Sequence, residues 1–270
     1  MTRTAQSAQE VTVAIGDSPI LLRCQDEEFW TIVEQRYSSF VREGAEPACV
    51  FEVEVTRPER SLSSVRELRV QNDGDAWELE RGDFRVEWNS RTGRGHILQT
   101  ATPYAIDTAL RIVHTIVQAT RGGFLLHGAS AIRNGRAFLF SGVSGAGKTT
   151  LSRLAPKDAI LLTDEISYIT RGANGYRACG TPFAGELARP GENAAAPVER
   201  LYFLAKGPEN GIAPIEAGEA LRLLLRNILF FADDPELVKM VFRSANDFLG
   251  KVPAYRLTFY PDGRVWDLIQ

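Results

Sequence analysis

A chain of 270 residues, 44% hydrophobic and 24% charged, has the composition of an ordinary globular protein and the length for one or two domains with a sizeable core. Its 31 basic and 34 acidic residues leave a net charge of −3, which argues against a general nucleic-acid binder. Cys24, Cys49 and Cys179 stand singly, without metal or redox spacing, as expected of reduced thiols in a cytoplasm. Residues 1–10 are polar and lack the apolar stretch of a secretory signal. No run of about eighteen apolar residues occurs, so neither export nor a membrane span is expected.

Residues 1–101 read as a β-rich region with one helix. Strands are expected at 11–15, 20–23, 50–56, 67–71, 76–80, 84–88 and 95–98, and the helix at 27–42. Alternation such as Phe51, Val53 and Val55 against Val50, Glu52 and Glu54 suggests half-buried antiparallel strands. Asp73-Gly74, Arg81-Gly82-Asp83 and Asn89-Ser90 supply turns between them. Trp77, Phe84 and Trp88 are expected in the core. Residues 102–122 read as a connecting helix, at 104–121, whose apolar stripe is Ala109, Leu110, Val113, Ile116 and Val117. Gly122-Gly123 ends it. His114 falls off the stripe and is expected on the surface.

A strand at 124–126 leads into His127, expected at the strand's end. Asn134-Gly135 then turns the chain into an apolar run at 137–140. Next comes Gly142-Val143-Ser144-Gly145-Ala146-Gly147-Lys148-Thr149, a full match to G-x-x-x-x-G-K-[ST] between a strand and a helix. In that motif the glycines let successive backbone N–H groups face one anion, and the following helix adds its positive end. Lys148 would reach the β- and γ-phosphates, the Thr149 hydroxyl would ligate Mg²⁺, and Thr150 would join the loop in binding the nucleotide. A second apolar run, 159–163, ends in Asp164-Glu165, the pattern of a strand whose carboxylate holds the phosphate-bound metal. Only fifteen residues lie between Lys148 and Asp164.

Beyond the acids, strands are expected at 167–170 and 176–179 around a turn at 172–175. An irregular stretch at 180–193 contains Gly180-Thr181-Pro182-Phe183-Ala184-Gly185-Glu186, with Arg189 a candidate phosphate contact. A strand at 200–204, a helix at 217–232 carrying Arg226, a helix from Pro235 to Leu249 and a closing hairpin at 252–268, turning at Pro261-Asp262-Gly263, complete the reading.

The glycine motif, the acidic pair close behind it and Leu126-His127-Gly128 ahead of it resemble the C-terminal catalytic domain of HPr kinase/phosphorylase and its kinase relatives. The loop is also similar to that of ATP-dependent phosphoenolpyruvate carboxykinase, which shares that fold. The likeness is plain over 123–169, looser over 180–186 and the C-terminal third, and absent from the first hundred residues. It implies an α+β protein, in which a β-rich N-terminal region precedes a P-loop catalytic domain on a mixed sheet at 123–270. It also implies ATP- and Mg²⁺-dependent phosphorylation of a hydroxyl, serine first, on a protein or peptide. HPr or a biosynthetic precursor peptide would be the acceptor, and the enzyme would be a cytoplasmic homo-oligomer, without nucleic-acid or membrane partners. The resemblance makes Asp164 the base, Glu165 the metal ligand with Asp164 able to exchange with it, and His127 a neighbour of the transferred group. The family's pair is Asp-Asp; Glu165 is one methylene longer. Two other readings stay open: a nucleotide-hydrolysing regulatory or binding protein, and carboxykinase-type chemistry on a small acid.

Overall fold

A computed structural model of the chain describes residues 9–56 and 67–269, so most of the polar start, residues 1–8, lies outside the described residues. Two compact units divide them: the described residues up to His114 with Phe231–Asp234, and Thr115–Phe230 with Pro235 onward. Each is strand-rich and built on a mixed sheet, giving an α+β chain. No helix among the described residues is long and apolar enough to cross a membrane.

In the first unit, β1 (Gln9–Ile15) and β2 (Ser18–Cys24) form an antiparallel hairpin. Helix α1 (Glu27–Tyr37) starts at Asp26, whose carboxylate accepts the Phe29 N–H at 2.9 Å. It stops short of the expected Arg42 and tightens into a 3₁₀ turn, Ser38–Phe40. Tyr37 and Phe40 are both 0% exposed, and 3₁₀ spacing brings residues three apart onto one face. Then come β3 (Cys49–Thr56), β4 (Arg69–Asp73), β5 (Ala76–Arg81), β6 (Phe84–Asn89) and β7 (Arg94–Thr100). The seven strands lie in the order β1-β2-β3-β7-β6-β5-β4. The expected antiparallel pairing holds for β1–β2 and for the meander β4–β7, but β2–β3 and β3–β7 are parallel. A period of two marks a strand with one buried face and says nothing of its neighbour's direction. Trp77, Phe84 and Trp88 are buried, as core residues should be.

Helix α2 (Pro103–Arg121) contributes to both units. Asp107, His114, Thr115 and Gln118 are buried beside its apolar stripe. His114 is therefore not a surface residue. Hydrophobic periodicity marks the apolar face but misses polar side chains that find partners inside; Asp107, for example, is held by both Arg36 and Tyr37.

The second unit is organised around β8 (Phe124–Arg133), which runs straight through His127 instead of ending there. It turns at Asn134-Gly135, both with positive φ (52° and 73°), into β9 (Arg136–Ser141), the two-residue turn that suits strand twist. After α3 (Lys148–Arg153) come β10 (Ile160–Thr163), β11 (Ile166–Gly172), β12 (Gly175–Cys179), β13 (Ala195–Lys206), β14 (Gly211–Pro214), α4 (Ala217–Asn227), β15 (Ile228–Leu229), α5 (Pro235–Leu249), β16 (Ala254–Phe259) and a final 3₁₀ helix, Gly263–Leu268. β9 lies antiparallel to β8 and parallel to β13, and β13 lies parallel to β16. Phe138, Phe140, Leu151, Tyr202, Phe259 and Trp266 form the core beneath the turn from β9 to α3. Each such buried side chain contributes about 1.5–3 kcal/mol. The Trp266 indole N–H donates to the Leu151 carbonyl at 3.1 Å and so fixes α3 to this core.

Two expectations here are corrected. The helix expected at 217–232 ends at Asn227, because Ile228 and Leu229 pair with Leu126 and Leu125 on the open side of β8. The expected C-terminal hairpin does not form. β16 takes β14 as its antiparallel partner, and Asp262 caps the final 3₁₀ helix by accepting the Arg264 N–H.

Candidate functional site

The residues singled out in the sequence meet where β9 ends. Leaving Ser141, the chain curls through Gly145 (φ 75°) and Gly147 (φ 108°) into α3. At Gly147 a methyl group would also lie 2.6 Å from the Phe259 ring, so glycine is required there twice over. Lys148 is 8% exposed, and its ammonium donates to the carbonyls of Gly142 at 3.0 Å and Val143 at 3.4 Å. It ties the loop to the helix with two N–H donors and has a third for other partners.

The acidic pair arrives from the other side of β8. β10 pairs with residues 130–132 of β8 and β11 with residues 124–127, both antiparallel, so the chain tracks one strand and breaks only between them. The break is set locally. Thr163 Oγ1 accepts the N–H groups of Glu165 and Ile166, each at 3.1 Å, and the Glu165 carbonyl accepts the Gly128 N–H at 2.8 Å. Asp164, 4% exposed, and Glu165, half-buried, thereby reach the cleft lined by Ser144, Gly145, Gly147, Lys148, Thr149, Thr150 and His127. The cleft measures about 540 Å³.

A third wall comes from the irregular stretch. It runs along the outer edge of β10: Thr181 N–H donates to Leu162 O at 3.2 Å, and Glu192 N–H to Leu161 O at 3.0 Å. Between those anchors the Asp164 carboxylate accepts the Gly185 N–H at 3.1 Å on one oxygen and the Leu187 N–H at 2.9 Å on the other. Each oxygen retains a second lone pair. Ala184, Gly185 and the exposed Glu186 thus join the cleft. Glu186 is legible in the sequence only as part of a loop run; its entry depends on the grip of Asp164 on either side of it. The turn closes with Ala188 N–H on Gly185 O at 3.0 Å and Ala188 at φ 53°. A left-handed alanine costs about 1–2 kcal/mol, so Ala188→Gly is expected to leave the fold intact and raise its unfolding free energy by about 1 kcal/mol, read from urea titration.

Of the expected site residues, Gly142, Val143 and Ala146 do not line the cleft. The first two present carbonyls to Lys148, and Ala146 packs into the core below. Arg226, in the last turn of α4, is not among the lining residues, and Arg189 lines a neighbouring groove instead. Among the described residues no group of three or more His, Cys, Asp or Glu side chains stands ready to hold a metal ion.

The model of one family, SynChlorMet cassette protein ScmC, matches residues 99–270, more than half of the chain. The chain belongs to the ScmC family. No curated protein matches it. The matched span contains every residue lining the cleft, so in this ScmC family member the cleft lies in the part of the chain that carries the family likeness.

The electrostatics of the cleft centre on Lys148. Burial pushes its ammonium below the ordinary lysine value, and the negative charges of Glu165 and Glu186 oppose that fall. One buried cation, three carboxylates, two threonine hydroxyls and an imidazole therefore share one water-accessible space. Such a set can hold an anion against the ammonium and the loop, supply hard oxygen donors, and accept a proton.

Proposed function

We propose that this ScmC family member is an ATP-dependent kinase that transfers the γ-phosphoryl group to a hydroxyl, serine first, of a protein or peptide, on a catalytic domain of the HPr kinase and carboxykinase type. The observation that carries the reading is the convergence of the glycine loop, Lys148, Thr149 and Asp164-Glu165 on one cleft. Lys148 and the loop amides neutralise the β- and γ-phosphates. The Thr149 hydroxyl and the Glu165 carboxylate are the hard oxygen donors Mg²⁺ prefers, and it takes few protein ligands alongside phosphate and water. When bound, the ion would neutralise charge on the phosphates. The acceptor oxygen attacks the γ-phosphorus and the bond to the β-phosphate oxygen breaks. ADP leaves, and the hydroxyl proton passes to Asp164 through a lone pair the loop amides do not use. His127 borders the same space. The family description as a cassette protein supports an acceptor made alongside it, a precursor peptide in the cytoplasm.

The test is incubation with Mg²⁺, γ-labelled ATP and serine peptides encoded beside the gene. Label on an acceptor serine is expected. Free phosphate alone, with no labelled acceptor from any source, would sink the kinase reading and leave a nucleotide-hydrolysing switch. The pH profile of kcat/KM, which reports groups of the free protein, adds a second check. Activity requires the Lys148 ammonium, so its alkaline limb should fall below the ordinary lysine range. Glu165 and Glu186 hold that limb up. Glu186→Gln should therefore move it to lower pH, and an unmoved limb would show that Lys148 does not set it.

A further inference from the structure

We infer that the groove beside the cleft is the docking track for the acceptor, and that it takes an extended peptide with an acidic side chain next to the phosphorylated hydroxyl. The role of that peptide as acceptor rests on the kinase reading above; its docking does not. The same two elements pass from cleft to groove. Helix α3 gives Thr149 and Thr150 to the cleft and Ser152 and Arg153 to the groove, while the irregular stretch gives Gly185 and Glu186 to one and Leu187 and Arg189 to the other. A chain lying in the groove would therefore run directly toward Asp164. The groove measures about 740 Å³ and its mixed lining sets apolar Pro156, Leu187, Pro190 and Ile160, the last 44% exposed, beside polar Ser152 and Asn193.

Charge decides the occupant. Arg153 and Arg189 are exposed, and neither forms an ion pair with any described residue. In the same unit Arg133, Arg136, Arg171 and Arg256 are paired with carboxylates, while Arg177, Arg226 and Arg243 have no such pair among the described residues and do not line the groove. Glu192 is the groove's own carboxylate, so two guanidiniums face one acid. Planar guanidiniums receive carboxylates with two parallel hydrogen bonds, and the apolar members of the lining give the side chains between them something to pack on. A long polyanion such as nucleic acid would instead meet Glu192, Glu186 and a net negative chain.

The test measures binding alone. A fluorescein-labelled serine peptide flanked by glutamates, its glutamine counterpart and its lysine counterpart are titrated against the full chain by polarisation. The acidic peptide should bind tighter than the glutamine peptide by on the order of tenfold. That preference should vanish in Arg153→Glu with Arg189→Glu, while binding of a fluorescent ADP analogue stays unchanged. It should persist in Lys148→Met. Equal binding of the three peptides, an acidic preference surviving the double charge reversal, or loss of the nucleotide instead of the peptide would each overturn the inference. Docking as expected would leave the track standing even if the acceptor assay above yields free phosphate alone and removes the kinase reading.

Discussion

Replacing Lys148 by methionine is expected to weaken nucleotide binding by about 10²–10³-fold and to remove phosphoryl transfer to the limit of detection. Lys148 is the one lysine or arginine among the cleft's lining residues, and it faces Asp164, Glu165 and Glu186. Without it, a phosphate chain would enter a space lined by three carboxylates. Methionine keeps the length and bulk of the side chain, so the packing against the loop is preserved. The carbonyls of Gly142 and Val143 lose their donor, which costs about 1 kcal/mol. Release of the buried charge offsets part of that loss, since burial disfavours this ammonium. The variant should therefore melt close to the parent while a fluorescent nucleotide no longer titrates. Undiminished affinity would show that the loop, and not the ammonium, carries the anion, or that no anion binds there.

The features legible in the sequence are those fixed by backbone demands over a few residues. Gly145 and Gly147 lie at left-handed φ, Asn134-Gly135 makes a two-residue turn that few other pairs accept, and the run before Asp164 is a short strand. Contacts made between distant segments are not legible. Gly185 and Leu187 lie more than twenty residues from Asp164 and carry no periodic signal, yet their amides hold its carboxylate and deliver Glu186 to the cleft. The same applies to β14, whose partner β16 lies far along the chain, and to the parallel contacts of β3. Pro261-Asp262-Gly263 reads as a hairpin because turn residues mark a change of direction without specifying the element beyond it; here Asp262 caps a 3₁₀ helix. The resemblance to a kinase family points at the acids of the cleft but not at their different surroundings: one is gripped by loop amides, the other half-buried.

That difference sets the second prediction. Asp164→Asn should lose stability and transfer together, whereas Glu165→Gln should lose transfer alone. An asparagine keeps one oxygen for either Gly185 or Leu187 and turns its NH₂ toward the other amide, so a part-buried N–H loses its partner. The cost is about 1–3 kcal/mol, several degrees of melting temperature for a unit of this size. With the turn loosened, Glu186 leaves its place in the cleft. On the proposed mechanism, proton acceptance at Asp164 would be worth about 10²–10⁴ in rate, and the asparagine cannot supply it. At the half-buried Glu165, glutamine preserves shape at a cost of about 0.5 kcal/mol or less, so its loss of transfer would be chemical. Melting curves and transfer rates on the two variants separate these cases. An Asp164→Asn protein that melts with the parent would show that the loop amides are not held by this carboxylate. One that melts lower but still labels the acceptor would keep Asp164 as the anchor of the turn and pass the proton to Glu165 or Glu186. Loss of both properties at Asp164, and of transfer alone at Glu165, is the outcome expected if one carboxylate both anchors the loop and accepts the proton.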